Sequence, residues 1–164
     1  MSLNNTKSEG YELLLAQVDA LLVSNWISNL SNVSALLYEH FHSQEGVQKD
    51  VNWCGFYLAN KSANTLELGP FQGKVACQVI EIGKGVCGTS ASSLKTVVVK
   101  DVHLFPGHIA CDAESASEIV VPILYNNEIR GVIDIDCKSL NGFDEVDARY
   151  LEIIAEKLSS GLNF

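Results

Sequence analysis

Two apolar runs, residues 119–124 and 129–135, are separated only by Tyr125-Asn126-Asn127-Glu128, and this limits the fold more than any other stretch. Both runs are dense in Ile and Val, whose branched Cβ atoms suit a pleated surface, and both are too short to be helices of ordinary length. Asparagine tolerates the left-handed backbone that a tight turn needs. The pattern therefore predicts a β-hairpin and commits this part of the chain to antiparallel pairing.

The rest of the pattern builds outward from that pair. Leu14, Leu15, Val18, Leu21 and Leu22, then Trp26, Leu30, Val33, Leu37 and Phe41, recur at helical spacing and predict two helices with a break at Ser24-Asn25. Residues 51–58, 65–68, 74–82 and 96–99 are short, rich in β-branched or aromatic residues, and punctuated by Asn, Ser and Gly, as strands are. Residues 83–95 read as a small-residue loop or a helix start, and residues 100–117 as a long irregular segment holding Pro106, Gly107, His103 and His108. Asp144 is placed to cap a last helix whose stripe is Val146, Tyr150, Ile153, Ile154 and Leu158, with Gly161 as its stop. The expected fold is an α+β single domain. A mostly antiparallel central sheet of five or six strands is flanked by N-terminal helices and a C-terminal helix. Residues 1–9 are expected to form a flexible N-terminus and residues 10–164 the domain.

Composition narrows the function classes. A chain of 164 residues with 47% hydrophobic and 19% charged residues suits one folded domain. The net charge is −9 and the 11 Lys and Arg are scattered, so no basic face predicts a nucleic-acid partner. No apolar run approaches the length of a bilayer span. The polar start, Met1-Ser2-Leu3-Asn4-Asn5-Thr6-Lys7, lacks the apolar centre of an export signal, so the expected setting is the reducing cytoplasm, with the nucleus also open to it. There a structural disulfide framework is unexpected.

Cys77, Cys87 and Cys111 each stand in a glycine-punctuated context, and their spacing fits no common zinc pattern. Thiol chemistry is the remaining reading, with a nucleophile and resolving partners. Cys111, in the irregular lid-like segment, is the expected nucleophile, with Cys77 and Cys87 both open as partners. Glu118 opens one strand, while Asp134 and Asp136 project to the same face of another. Carboxyls grouped around one pocket raise each other's proton affinity, so one can serve as an acid near neutral pH. Cys54 and Cys137 read as small core hydrophobes. His103 and His108 read as loop residues, because nearness in sequence does not make a Cys–His pair. Gly83-Lys84-Gly85 lacks the completed phosphate-loop pattern.

Six blocks in order, Asn52-Trp53-Cys54-Gly55-Phe56-Tyr57, Gly69-Pro70-Phe71-Gln72-Gly73, Gly83-Lys84-Gly85-Val86-Cys87-Gly88, His108-Ile109-Ala110-Cys111-Asp112, Ser117-Glu118-Ile119-Val120-Val121-Pro122 and Gly131-Val132-Ile133-Asp134-Ile135-Asp136, resemble the free methionine-R-sulfoxide reductases, a GAF-domain family. The resemblance spans about residues 10 to 160. It implies reduction of free L-methionine R-sulfoxide, thioredoxin as external reductant, no bound cofactor or metal, and a homodimer. It further implies that Cys77, Cys87 and Cys111 share the redox cycle. The same resemblance implies that Glu118, Asp134 and Asp136 bind substrate and assist catalysis, and that Trp53 packs on the substrate's methyl end. The same fold also serves as a small-ligand-sensing module without catalysis, the competing expectation.

Overall fold

The computed structural model describes residues 3–109 and 111–161. The hairpin forms as β5 (Ser117–Tyr125) and β6 (Glu128–Cys137), and its turn holds Asn126 at φ 52° and Asn127 at φ 60°, the left-handed pair that a two-residue hairpin requires. Around it lie β1 (Val51–Asn60), β2 (Thr65–Gly73), β3 (Val79–Glu81) and β4 (Val97–Val99). The six-stranded sheet runs β3-β2-β1-β6-β5-β4, and every neighbouring pair is antiparallel.

Helices α1 (Leu3–Leu21), α2 (Trp26–Ser43) and α4 (Glu145–Ser159) cover one face. Their apolar stripes bury Leu14, Val18, Leu30, Val33, Leu37, Phe41, Leu151 and Ile154 against Cys54, Phe56, Ile119, Val121, Ile133 and Ile135 of the strands. A short 3-10 turn, Gly46–Asp50, leads from α2 into β1. α1 begins at Leu3, upstream of the boundary expected at residue 10, and Lys7 bonds Asp147 of α4 at 2.7 Å. Asp147 is fully buried, yet it also accepts from the Tyr11 hydroxyl at 2.7 Å and Gln48 Nε2 at 3.0 Å. These partners compensate its desolvation. α4 is closed at its start by a reciprocal capping box between Asp144 and Asp147.

The opposite face is covered more thinly, by α3 (Gly85–Ser93) and by the segment between β4 and β5. The glycine- and serine-rich stretch at 83–95 thus resolves into a helix, ended by Leu94 in the left-handed region at φ 56°. The expected strand over 74–82 shrinks to Val79–Glu81, because β2 extends to Gly73 and the chain then leaves the ladder. Two side chains of β1 take over the released carbonyls. Trp53 Nε1 donates to Lys74 O at 3.1 Å, and the Tyr57 hydroxyl donates to Cys77 O at 3.0 Å. Pro70 is accommodated where the β1–β2 register slips between Gly55 and Tyr57, a bulge that needs no ladder donor there. Among the described residues no helix is long and apolar enough to cross a membrane.

Candidate active site

The thinly covered face carries the acids. Register pairs Glu118 with Asp136, Asp136 with Trp53, and Asp134 with Gly55 and Val120, so all of these residues share one side of the sheet. Glu118 and Asp134 are each only 6% exposed, at a depth where a carboxylate without partners is costly. Burial comes first in pushing the proton affinities of Glu118, Asp134 and Asp136 well up. The neighbouring charges add to it: Asp136 on Glu118, Glu118 on Asp134, and Asp134 then Asp112 on Asp136. Such a cluster keeps protons at neutral pH.

α3 brings Cys87 onto this cluster. One atom each from Cys87, Glu118 and Asp134 lie within 4.8 Å of one another, and the Cys87 thiol bonds Asp134. Burial, then the charges of Asp134 and Glu118, push the thiol's pKa up, so Cys87 is held protonated. Asp134 Oδ1, although buried, has no hydrogen-bond partner.

The segment between β4 and β5 closes the site. It is tied down by Val102 N to Ala116 O at 2.9 Å and Ala116 N to Cys137 O at 2.8 Å. Asn52, the extra residue at a β1–β6 register slip, donates to Asp112 and to Ser115, each at 3.1 Å. His108 Nε2 stands 3.3 Å from Glu118 Oε2, and Ile109 lies over Gly85. Cys111 is disulfide-bonded to Cys77, with Cα atoms 5.6 Å apart. A cavity of about 20 Å³, room for about one water, is lined by Cys111, Asp112, Glu118, Asp134, Asp136, Cys87 and His108, among others.

The fold therefore brings Cys87, Cys111, Glu118, Asp134 and Asp136 around one hollow. Cys77 reaches it only through its bond to Cys111, and Trp53 does not line it. Trp53 is 4% exposed and stacks on Phe71 at 5.1 Å and Tyr57 at 5.8 Å, beside the cavity. Sequence reasoning missed His108, Asn52, Asp112 and Ser115 as neighbours of the acids. The one available signal was their place inside or beside the motif blocks around Trp53 and Cys111.

The sheet order, with helices on one face and a small cavity under loops on the other, is that of a GAF domain, and the GAF-domain family model matches residues 44–163. A free methionine-R-sulfoxide reductase of Saccharomyces cerevisiae is 50% identical, over 99% of this chain and 91% of the relative. The protein of the same name from Escherichia coli is 43% identical, over 95% of this chain and 90% of its own length. The structure of free methionine-R-sulfoxide reductase from Neisseria meningitidis in complex with its substrate superposes with a TM-score of 0.86 at 40% identity, covering 93% of this chain and 87% of that one. The chain belongs to the free methionine-R-sulfoxide reductases of the GAF-domain family.

Proposed function

We propose that this chain reduces free L-methionine (R)-S-oxide to L-methionine, with Cys111 as nucleophile, Cys77 as resolving thiol and a thioredoxin-type dithiol as external reductant. One observation carries the reading. Cys111, already bonded to Cys77, shares a cavity with buried carboxyls whose proton affinity is raised.

A sulfoxide sulfur becomes electrophilic when its oxygen is protonated, and Glu118 is the acid proposed for that. The Cys111 sulfur attacks the substrate sulfur, the protonated oxygen passes from that sulfur to Cys111, and the transient sulfur–sulfur bond breaks with its electron pair staying on methionine. The oxygen ends as the hydroxyl of a Cys111 sulfenic acid. Methionine sulfur thus gains the two electrons that Cys111 sulfur loses. The Cys77 thiol then displaces that hydroxyl, which leaves as water with the thiol proton, and the disulfide forms. Exchange with the external dithiol restores both thiols, so no bound cofactor is needed.

Asp134 and Asp136 suit the ammonium of a free amino acid, and the unpartnered Asp134 Oδ1 offers it an acceptor. Trp53 is the apolar wall proposed for the methyl end, reached when the site opens. About 20 Å³ is far too little for methionine sulfoxide. The disulfide form is thus read as the spent state, and the hollow opens on reduction. Leu13, Leu21, Val23 and Ile27 expose apolar side chains on or just after α1 and α2, which fits a homodimer paired through these helices. Cytoplasmic residence is proposed on the requirement for reduced thiols.

The test follows NADPH consumption with thioredoxin and its reductase on the free R and S epimers and on methionine sulfoxide within a folded protein. Turnover of the free R epimer alone is expected, lost in Cys111→Ser and slowed at least about a hundredfold in Glu118→Gln. Equal use of both epimers, or of the protein-bound residue, contradicts the reading.

A further inference from the structure

We propose that His108 is the proton relay of this site, taking the Cys111 thiol proton and returning it to Glu118 as Glu118 protonates the sulfoxide oxygen. The proposal rests on the reductase reading above and addresses a difficulty within it. Carboxyl groups beside a thiol do not help it to ionise, because any carboxylate among them disfavours a second negative charge. The acids cannot take its proton while they hold their own. Glu118 is already engaged with Asp134, Asp134 with Cys87, and Asp136 with Ser115. A neutral base must stand in the same hollow.

Only His108 has the right chemistry among the lining residues. Its Nε2 is 3.3 Å from Glu118 Oε2. It precedes Cys111 by three residues on one segment, and both line the cavity. Its side chain is 14% exposed against 7% for that of Glu118, so it stands on the solvent side of the acid. Burial lowers the imidazole pKa, which leaves the ring neutral and able to accept a proton at rest. The groups facing it are Glu118 from β5, Asp134 and Asp136 from β6, Lys84 and Cys87 from the α3 side, and Asp112 from its own segment. Once Glu118 has given its proton to the sulfoxide oxygen, its carboxylate stands against the imidazolium.

The protons balance. His108 takes the proton from Cys111 as the sulfur attacks, and Glu118 gives its own to the sulfoxide oxygen. The imidazolium then reprotonates the Glu118 carboxylate across the existing contact. The thiol proton is matched by the one in the sulfenic hydroxyl, and none is gained or lost overall. His108 acts through Glu118 and Cys111 and is a positioning and relay residue.

The test uses the reduced full chain in single turnover, measuring methionine formation against pH, together with the dissociation constant of free R-sulfoxide. His108→Gln keeps a hydrogen-bonding group but cannot carry the proton. The expected result is a rate at least about a hundredfold lower at unchanged substrate affinity, with the wild-type fall at acidic pH abolished. His108→Ala is expected to regain rate in proportion to added imidazole. Retention of the wild-type rate and acidic limb in His108→Gln overturns the proposal, as does a loss in His108→Ala that lies in affinity alone and is not rescued. Wild-type protein that forms no methionine overturns the reductase reading itself, a separate and recognisable outcome.

Discussion

Cys77 and Cys87 differ in what surrounds them, and that difference assigns their parts in the proposed cycle. Cys87 is 3% exposed on the first turn of α3, and its thiol bonds Asp134. Burial and two acidic neighbours hold it protonated, so it neither attacks readily nor exchanges fast. Cys77 sits in the irregular run that follows β2, where its carbonyl is held by Tyr57 and its sulfur reaches Cys111. Cys77→Ser is therefore expected to stop after one methionine per chain, leaving a Cys111 sulfenic acid that dimedone traps. Cys87→Ser is expected to keep cycling through the Cys77–Cys111 bond. Repeated turnover by Cys77→Ser under the same reductant would refute this division of labour.

At the scale of elements, the site depends on how closely α3 approaches the turn after β3. A Cβ added at Gly88 would lie 2.4 Å from Glu81 O and 2.9 Å from Gly83 N, both backbone atoms that cannot rotate aside. The same contact is stitched by Gly83 N to Gly88 O at 2.8 Å and Gly88 N to Lys84 O at 2.9 Å. Gly88→Ala must push α3, and Cys87 with it, away from the sheet. Overpacking of this kind costs about 1–3 kcal/mol, so a fall in thermal midpoint of at least about 2 °C is expected by calorimetry. An unchanged midpoint would show that α3 has slack. The elements that local pattern revealed were those whose partners lie nearby in sequence: the β5–β6 hairpin through Asn126 and Asn127, and α4 through its Asp144 cap. α3 carries no apolar stripe to announce it, and it is buried by the sheet beneath. The strand expected at 74–82 failed because Trp53 and Tyr57, about twenty residues upstream, claim its carbonyls. No window on the local sequence contains that competition.

For the molecule as a whole, the buried acids make folding depend on pH in a definite direction. The folded values of Glu118, Asp134 and Asp136 lie above their ordinary ones. Between unfolded and folded values the native state therefore holds more protons, and stability is lost as pH rises through that window. His40 acts oppositely. Burial, then the Lys7 cation, brings it down to about 4, so its contribution is full above its ordinary 6.5 and is lost as pH falls towards 4. The reduced chain is expected to have its highest thermal midpoint in mildly acidic buffer and a falling one between about pH 6 and 8, with the fall flattened by Asp134→Asn. A midpoint that rises over that range in the wild type would show that the acids are not held protonated. The sequence motifs disclosed the cysteines and acids of the site, since residue type and order survive without coordinates. The His108–Glu118 contact was not legible, because it joins the irregular Cys111 segment to a strand and depends on how that segment folds back. The central claim is tested most directly by a quenched single turnover of the reduced chain with free L-methionine R-sulfoxide, counting methionine and mapping cysteine linkages by mass spectrometry. One methionine per chain with Cys77 joined to Cys111 is the predicted result. Absence of methionine, or undiminished methionine formation in Cys111→Ser, would contradict it.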